Sequence, residues 1–335
     1  MDKQFRVALV GCGSISGNHI SGILDAGEKL CALCDILPEH ANQKAKAFSL
    51  EGVSVYTDYI EMLDCEKPDI VHICTPHDLH APMAIAALER NINVLCEKPL
   101  CISMKQLEDL RLAEQKSTAQ LGVCHQNRWK PSMIKLKKMA EVGVKGAFGS
   151  VVWDRDEAYY RSGNWRGTWE REGGGVMINQ ALHTLDLLQW ICGMPTHVTA
   201  SIDNWHLKNV IEVEDTATAR FECEGGLPIN FFATTGAGAS LPISVQMVLS
   251  DKRKVCVQNG FMSVNDEFVP MASGGTLVPA GKEVWGTEHV ALISHFYHCV
   301  RTKQTFPIDV EEGGRVIRLI LSMYQSKGER IAVLS

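Results

Sequence analysis

Three groups of residues have types and spacings that could do chemistry. The first is a glycine turn. Gly11 and Gly13 follow an apolar run, and Ser14, Ile15 and Ser16 lead into a helix-forming stretch. Gly11 permits a tight turn, and Gly13 lets a backbone approach a pyrophosphate. The helix start then offers unpaired N–H groups and partial positive charge to that anion. The third fingerprint position is Ser16, small enough to stand where Gly or Ala is usual. Asp35 ends the next apolar run. A carboxylate there accepts hydrogen bonds from ribose hydroxyls and repels a 2′-phosphate. Ile36 and Leu37 bring no arginine for such a phosphate, so the expected cofactor is NAD, with NADP disfavoured.

The second group lies at two strand ends. Ile70–Cys74 is followed by Thr75-Pro76-His77-Asp78-Leu79-His80, and Asn93–Cys96 by Glu97-Lys98-Pro99. Open α/β sheets bind ligands beyond the carboxyl ends of their strands. A residue before proline is held extended, so Lys98 is expected to project its amine over the nicotinamide crevice. His80 is expected to open a helix beside it. The plainer readings are a solvated Lys98, an ion-paired Glu97 and an exposed His77.

The third group follows Gly173-Gly174-Gly175. A helix is expected over Val176–Cys192, where Asn179, His183 and Asp186 recur at i, i+4 and i+7 and so share one face. Ile178, Leu182, Leu185 and Trp190 fall on another, apolar face. Upstream, the run Tyr159–Trp169 mixes aromatic and arginine side chains, which suit sugar rings and anionic groups. Trp165 and Arg166 are its candidate substrate contacts. The plain alternatives are a packed surface loop and an exposed His183 with a helical Asp partner.

The elements that must position these groups divide in two. Up to about residue 125, short apolar strands alternate with helices: Phe5–Val10, Ser16–Ala26, Leu30–Cys34, Pro38–Phe48, Val53–Tyr56, Tyr59–Leu63, Asp69–Cys74, Ala81–Arg90, Asn93–Cys96, Ser103–Lys116 and Gln120–Cys124. Near-continuous apolar strands alternating with helices imply a doubly wound parallel sheet covered on both faces. The remainder reads differently: a helix over Trp129–Glu141, a β-like Gly149–Tyr160, and strands with turn signals from Thr196 to Val269. Helices over His289–Arg301 and Glu311–Ser326 close the chain. The expected fold is α/β. An NAD-binding domain over 1–125 precedes an α+β domain over 126–335 with an open, mainly antiparallel sheet. Its helix 311–326 is a candidate to pack back on the first domain.

Composition narrows the function classes. With 335 residues, a single core is an unusual outcome and two domains are expected. The formal charge of -6, with no Lys/Arg run, argues against nucleic acid as a partner. No apolar stretch reaches the ~18 residues a membrane span needs. The first residues show no targeting pattern. Twelve scattered cysteines, several inside apolar runs, read as reduced core residues of a cytoplasmic protein. Cys31 and Cys34 have CxxC spacing but fall in a strand, pointing to opposite faces. His77/His80 and His295/His298 lack a third ligand nearby, so no metal site is expected.

Together these residues resemble the glucose-fructose oxidoreductase / inositol dehydrogenase / MocA (Gfo/Idh/MocA) family. The resemblance is carried by Gly11-x-Gly13, Asp35, Thr75-Pro76 with His80, Glu97-Lys98-Pro99, Asn127-Arg128, Gly173–Gly175 and the stretch Asn179–Asp186. It spans essentially the whole chain. It implies a Rossmann domain and a second domain whose open sheet mediates homodimers or homotetramers. It implies that Gly11, Gly13, Ser14, Ile15, Asp35, Thr75, Pro76, His80, Glu97 and Lys98 hold the cofactor. It implies an oxidoreductase acting on a secondary alcohol of a sugar, sugar derivative or cyclitol. His183 would accept the hydroxyl proton, a task an ordinary imidazole suits, and Lys98 would bond the same oxygen or relay that proton. Many relatives carry Asp where this chain has Asn179, so Asn179 is expected to position substrate, with Trp165, Arg166 and Asp186 around it. Two other outcomes stay open on this scaffold: a redox-neutral glycosidase or lyase that uses NAD, and a dinucleotide-sensing regulator without catalysis.

Overall fold

The computed structural model describes residues 4–270 and 288–335. The chain forms two compact units. The first is built on β1 (Arg6–Val10), α1 (Ser16–Asp25), β2 (Lys29–Cys34), α2 (Pro38–Ala47), β3 (Ser54–Tyr56), α3 (Tyr59–Glu66), β4 (Ile70–Ile73), α4 (His77–Leu88), β5 (Asn93–Cys96), α5 (Met104–Lys116) and β6 (Leu121–Val123). Its six strands are parallel, in the order β3-β2-β1-β4-β5-β6. The strand cores Val7–Val10, Ala32–Cys34 and Ile70–Ile73 are buried, as a sheet covered on both faces requires. Strand order reverses between β1 and β4, and that reversal opens the ligand crevice of such folds.

The second unit begins with α6 (Pro131–Met139), β7 (Val144–Val152), α7 (Glu157–Arg161) and α8 (Leu182–Cys192). The strands β8 (His197–Asp203), β9 (Thr216–Glu222), β10 (Pro228–Thr234), β11 (Ser244–Leu249), β12 (Lys254–Gln258), β13 (Phe261–Val264) and β14 (Glu267–Val269) follow. Further along the chain come α9 (Glu288–Thr302), which belongs to the first unit, α10 (Val310–Ser326), divided between the two, and β15 (Ile331–Ala332). The nine-stranded sheet runs β14-β13-β12-β11-β7-β10-β9-β8-β15. It is antiparallel apart from β10 beside β7. Phe148, Val248, Phe261 and Phe268 are exposed on one face of it.

The units are discontinuous in sequence. Residues 288–314 group with the first, and 102–104 with the second. Helix α9 joins the first unit because Gly22 of α1 leaves room for Ile293; a Cβ there would lie 2.4 Å from Ile293 Cδ1. The first turn of α10 does the same at β6, where Gly313 faces Val123. From Arg315 onward α10 belongs to the second unit. The stretch 271–287, inside the expected second domain, lies outside the described residues.

Three expected elements differ. The helix placed at Ala81 starts at His77, four residues earlier, with Pro76 in extended conformation as its N-cap. The β-like run to Tyr160 stops at Val152, and Asp156 caps a helical turn by accepting from Tyr159 N. The helix placed at Val176 starts at Leu182, after a series of turns.

Candidate active site

In the first unit, Gly11 sits where β1 meets the loop. Its φ is +87°, and a Cβ would lie 2.6 Å from the Cys74 carbonyl carbon and 2.8 Å from Thr75 N. The turn is thus pressed against the end of β4, at the strand-order reversal. A Cβ on Gly13, by contrast, would meet nothing within 4 Å. Ser14 is exposed and Ile15 half-buried, and Ser16 Oγ donates to Gly13 O, closing the loop onto the start of α1. The Asp35 carboxylate braces this loop from β2: Oδ2 accepts from Cys12 N at 2.8 Å and Oδ1 from Leu37 N at 2.9 Å. At the end of β4, Thr75 Oγ1 is buried and has no hydrogen-bond partner among the described residues. An open cradle at Gly13, an unsatisfied hydroxyl at the crevice and a carboxylate after β2 fit a dinucleotide.

His80 and Glu97, expected at the cofactor, turn inward. His80 is 1% exposed. Its Nδ1 lies 2.6 Å from Pro99 O and its Nε2 2.8 Å from Thr75 O, so it ties the ends of β4 and β5 together. Glu97 is 4% exposed. Its Oε1 receives His19 Nε2 at 3.0 Å and His289 Nε2 at 3.2 Å, and its Oε2 accepts from Lys98 N at 3.1 Å. Burial alone would push this carboxyl up. The bonds and charge of the two imidazoles outweigh burial and hold it well below the usual range. Both residues therefore shape the backbone at the ends of β4 and β5. Lys98 itself is half-buried, and its peptide bond to Pro99 is cis.

In the second unit, Gly173–Gly175 makes a turn that no other residue type could enter. Gly173 and Gly174 have φ of +81° and +146°. A Cβ on Gly174 would lie 1.8 Å from Tyr324 Oη, and one on Gly175 1.9 Å from Glu214 O. Glu214 clamps the turn, accepting from Gly175 N, Met177 N and Tyr324 Oη at 2.9, 3.0 and 3.0 Å. Burial pushes the Glu214 carboxyl up to about 7, against the pull of these donors.

This clamp decides where the next residues stand. Asn179 lies in the turns before α8, so the expected three-residue helical stripe does not form. Asn179 Nδ2 donates to Glu172 Oε1 at 2.5 Å and to Tyr159 Oη at 3.3 Å. Glu172 is buried and its Oε2 accepts from Gly167 N; burial pushes its carboxyl up to about 7. His183 is half-buried in the first turn of α8. Asp186, expected to face substrate, is 1% exposed. It takes Arg128 Nε and Nη2 at 2.8 and 2.6 Å, a two-pronged ion pair, and accepts from Gln189. Its charge is committed to fixing α8.

Tyr159, the first residue of the expected aromatic run but not one of its singled-out contacts, organises the segment. Arg155 and Arg166 each stack on its ring, 4.7 and 4.8 Å from the centroid. Arg166 also stacks on Trp165 and donates to Ser162 Oγ. Neither guanidinium reaches a carboxylate at ion-pair distance among the described residues, whereas Arg161 pairs with Glu157. The Tyr159 hydroxyl receives Asn179 and Gln180. Arg166 and Asn179 thus both meet Tyr159, Trp165 joins them through Arg166, and Asp186 is not among them. The only cue in the sequence was the density of aromatic and arginine residues; the pairing needed the fold.

Comparison with known proteins gives a consistent picture. A family model described as "Oxidoreductase family, NAD-binding Rossmann fold" matches residues 5–125, and the GFO/IDH/MocA C-terminal domain matches 133–251. The chain is 24% identical to D-glucoside 3-dehydrogenase of Escherichia coli (strain K12), over 97% of this chain and 95% of that protein. It is 26% identical to D-apiose dehydrogenase of Paraburkholderia graminis over 67% of this chain, and it spans 59% of that relative's length. The structure of the WlbA dehydrogenase from Bordetella pertussis, in complex with NADH and UDP-GlcNAcA, superposes with a TM-score of 0.88 at 28% identity, covering 100% of this chain and 99% of that one. Levoglucosan dehydrogenase, in complex with NADH and levoglucosan, shares the fold with a TM-score of 0.87 at 19% identity, over 99% and 100% of the chains.

Proposed function

Since the chain belongs to the Gfo/Idh/MocA oxidoreductase family and carries its NAD-binding Rossmann domain, we propose that it moves a hydride between NAD and a secondary alcohol or ketone of an anionic sugar derivative. The observation that carries the anionic part is the Tyr159 cluster. Arg155 and Arg166 hold two guanidinium groups on one aromatic ring, neither within ion-pair distance of a carboxylate among the described residues, beside the Asn179 amide. Ring faces suit a sugar, and paired guanidinium groups suit a carboxylate or phosphate. The Bordetella relative solved with UDP-GlcNAcA supports this substrate class.

The roles follow from chemistry. The bound nicotinamide supplies the hydride acceptor. The Gly11–Ile15 loop, its Gly13 cradle and the start of α1 hold the pyrophosphate, and Asp35 holds the adenosine ribose. Thr75 and Pro76 border the crevice. Lys98 donates a hydrogen bond to the reacting oxygen, and His183 takes its proton during oxidation. Asn179 positions the substrate, with Trp165 and Arg166 gripping it.

Two further parts of the reading have their own support. The exposed apolar face of the nine-stranded sheet, with Phe148, Val248, Phe261 and Phe268, suits a homodimer or homotetramer formed through it. Twelve cysteines without a disulfide suit a reducing, cytoplasmic setting. No helix among the described residues is long and apolar enough to cross a membrane.

The test is NADH formation across matched panels of neutral sugars, hexuronic acids and nucleotide-linked hexuronic acids. Turnover confined to the acidic panel is expected. Equal turnover of the neutral panel overturns the anionic reading, and undiminished turnover in both Lys98→Ala and His183→Ala overturns the assignment of the reacting groups.

A further inference from the structure

The residues holding Glu97 form a cluster that the proposed reaction does not use. His19 comes from α1, Glu97 from the end of β5, and His289 from α9. One ligand-type atom from each lies within 4.8 Å of the others, and all three side chains are buried. A fourth donor stands beside them: Cys124 Sγ, just past β6, lies 4.0 Å from His19 Nε2 and is fully buried. All four belong to the first unit.

We propose that His19 Nε2, His289 Nε2, Glu97 Oε1 and Cys124 Sγ form a binding site for one divalent cation of the zinc class. The set mixes imidazole, carboxylate and thiolate, which is the ligand choice of that ion. Three of the six edges are close to what it needs. Bonds of about 2.0–2.3 Å to a tetrahedral zinc give ligand-to-ligand edges of roughly 3.3–3.6 Å. The Glu97 edges are 3.0 and 3.2 Å, and the Cys124–His19 edge is 4.0 Å. Cys124 Sγ stands outside the group of three whose ligand atoms all lie within 4.8 Å of one another, so its side chain has further to move than the other three to seat the ion.

The surroundings match a metal ligand's outer contacts. His19 Nδ1 faces His72 Nδ1 at 2.8 Å, and His72 Nε2 faces Tyr297 Oη at 2.8 Å. With an ion on Nε2, the proton that His19 gives Glu97 shifts to Nδ1 and is donated to His72, whose own proton shifts to Nε2 and is donated to Tyr297; the His289 proton shifts likewise from Nε2 to Nδ1. Such a partner fixes the tautomer and ring orientation of a ligating histidine. On binding, the cation displaces the Cys124 thiol proton to solvent, and no electron transfer is involved. Glu97 Oε2 keeps the Lys98 N–H. The ion would thus clip α1, β5, β6 and α9 together and hold the backbone that carries Lys98, without touching substrate.

The experiment uses the full, tag-free chain stripped with chelator and then titrated with cobalt(II) and zinc(II). Expected are one ion per chain, the visible bands of tetrahedral cobalt, and a near-ultraviolet sulfur-to-cobalt charge-transfer band. That band disappears in Cys124→Ser, and one-ion binding is lost in His289→Gln. His72→Phe weakens zinc affinity by roughly 10–100-fold. Zinc also raises the melting temperature of the wild-type chain in the absence of NAD. Absence of tetrahedral cobalt bands in the folded wild-type chain overturns the proposal. So does zinc binding that stays the same in both Cys124→Ser and His289→Gln, and cobalt bands without the sulfur band remove Cys124 from the site.

Discussion

The Asn179 side-chain amide donates to Glu172 Oε1 at 2.5 Å, anchoring the position four residues before His183 to a buried carboxyl. An amide can present either its NH2 or its oxygen, so it can meet this carboxyl ionised or protonated. That freedom matters because burial pushes Glu172 up to about 7, into the range where it titrates.

A carboxyl raised from 4.5 to about 7 binds its proton more tightly folded than unfolded. Its contribution to stability is full below the unfolded value and is lost as pH rises through the folded one. Glu172→Gln removes that titration. The melting temperature of the variant relative to wild type should therefore climb from about pH 4.5 and level off above about pH 7. Thermal melts across that range, each at fixed salt, give the answer, and a flat difference excludes this role for Glu172.

Arg128 and Asp186 form a two-pronged ion pair with both side chains out of water. Removing one partner strands the other charge, at a cost of about 3–5 kcal/mol. Arg128→Met should show that loss in urea unfolding. Arg128→Met with Asp186→Leu should recover much of it, because no charge is left buried. If the double variant is no better than the single one, the pair is not what α8 depends on.

Asp35 braces Cys12 N, and the proposed function also assigns it the adenosine ribose. Asp35→Ala should weaken NADH binding by roughly tenfold or more, the scale of a hydrogen bond to a charged group. The ratio of NADH to NADPH affinity should fall with it, since the repulsion of a 2′-phosphate goes too. Calorimetric titration with each nucleotide measures both, and an unchanged ratio would move cofactor choice to another residue.

Lys98→Ala and His183→Ala are expected to lower kcat by about 10²–10⁴-fold, the usual contribution of a positioned proton-transfer group. NADH affinity in His183→Ala should stay near wild type, because the Gly11–Ile15 loop lies in the other unit. Steady-state rates combined with nucleotide titration separate the two effects.

Legibility in the sequence followed locality. The β1–loop–α1 unit, Asp35 after β2 and Lys98 after β5 were readable because each is contiguous, and because parallel strands place their carboxyl ends on one side of the sheet. The start of α8 was not. Periodicity extends to Val176, but the turns persist to Leu182 because Glu214, 39 positions away, claims the N–H groups of Gly175 and Met177. The same holds for the fates of His80, Glu97 and Asp186. Their types suggested ligands, and their burial against Pro99, His19, His289 and Arg128 made them braces. Residue type and spacing carry the chemistry a segment can offer, whereas desolvation and pairing across distant segments decide which of those groups still face a ligand.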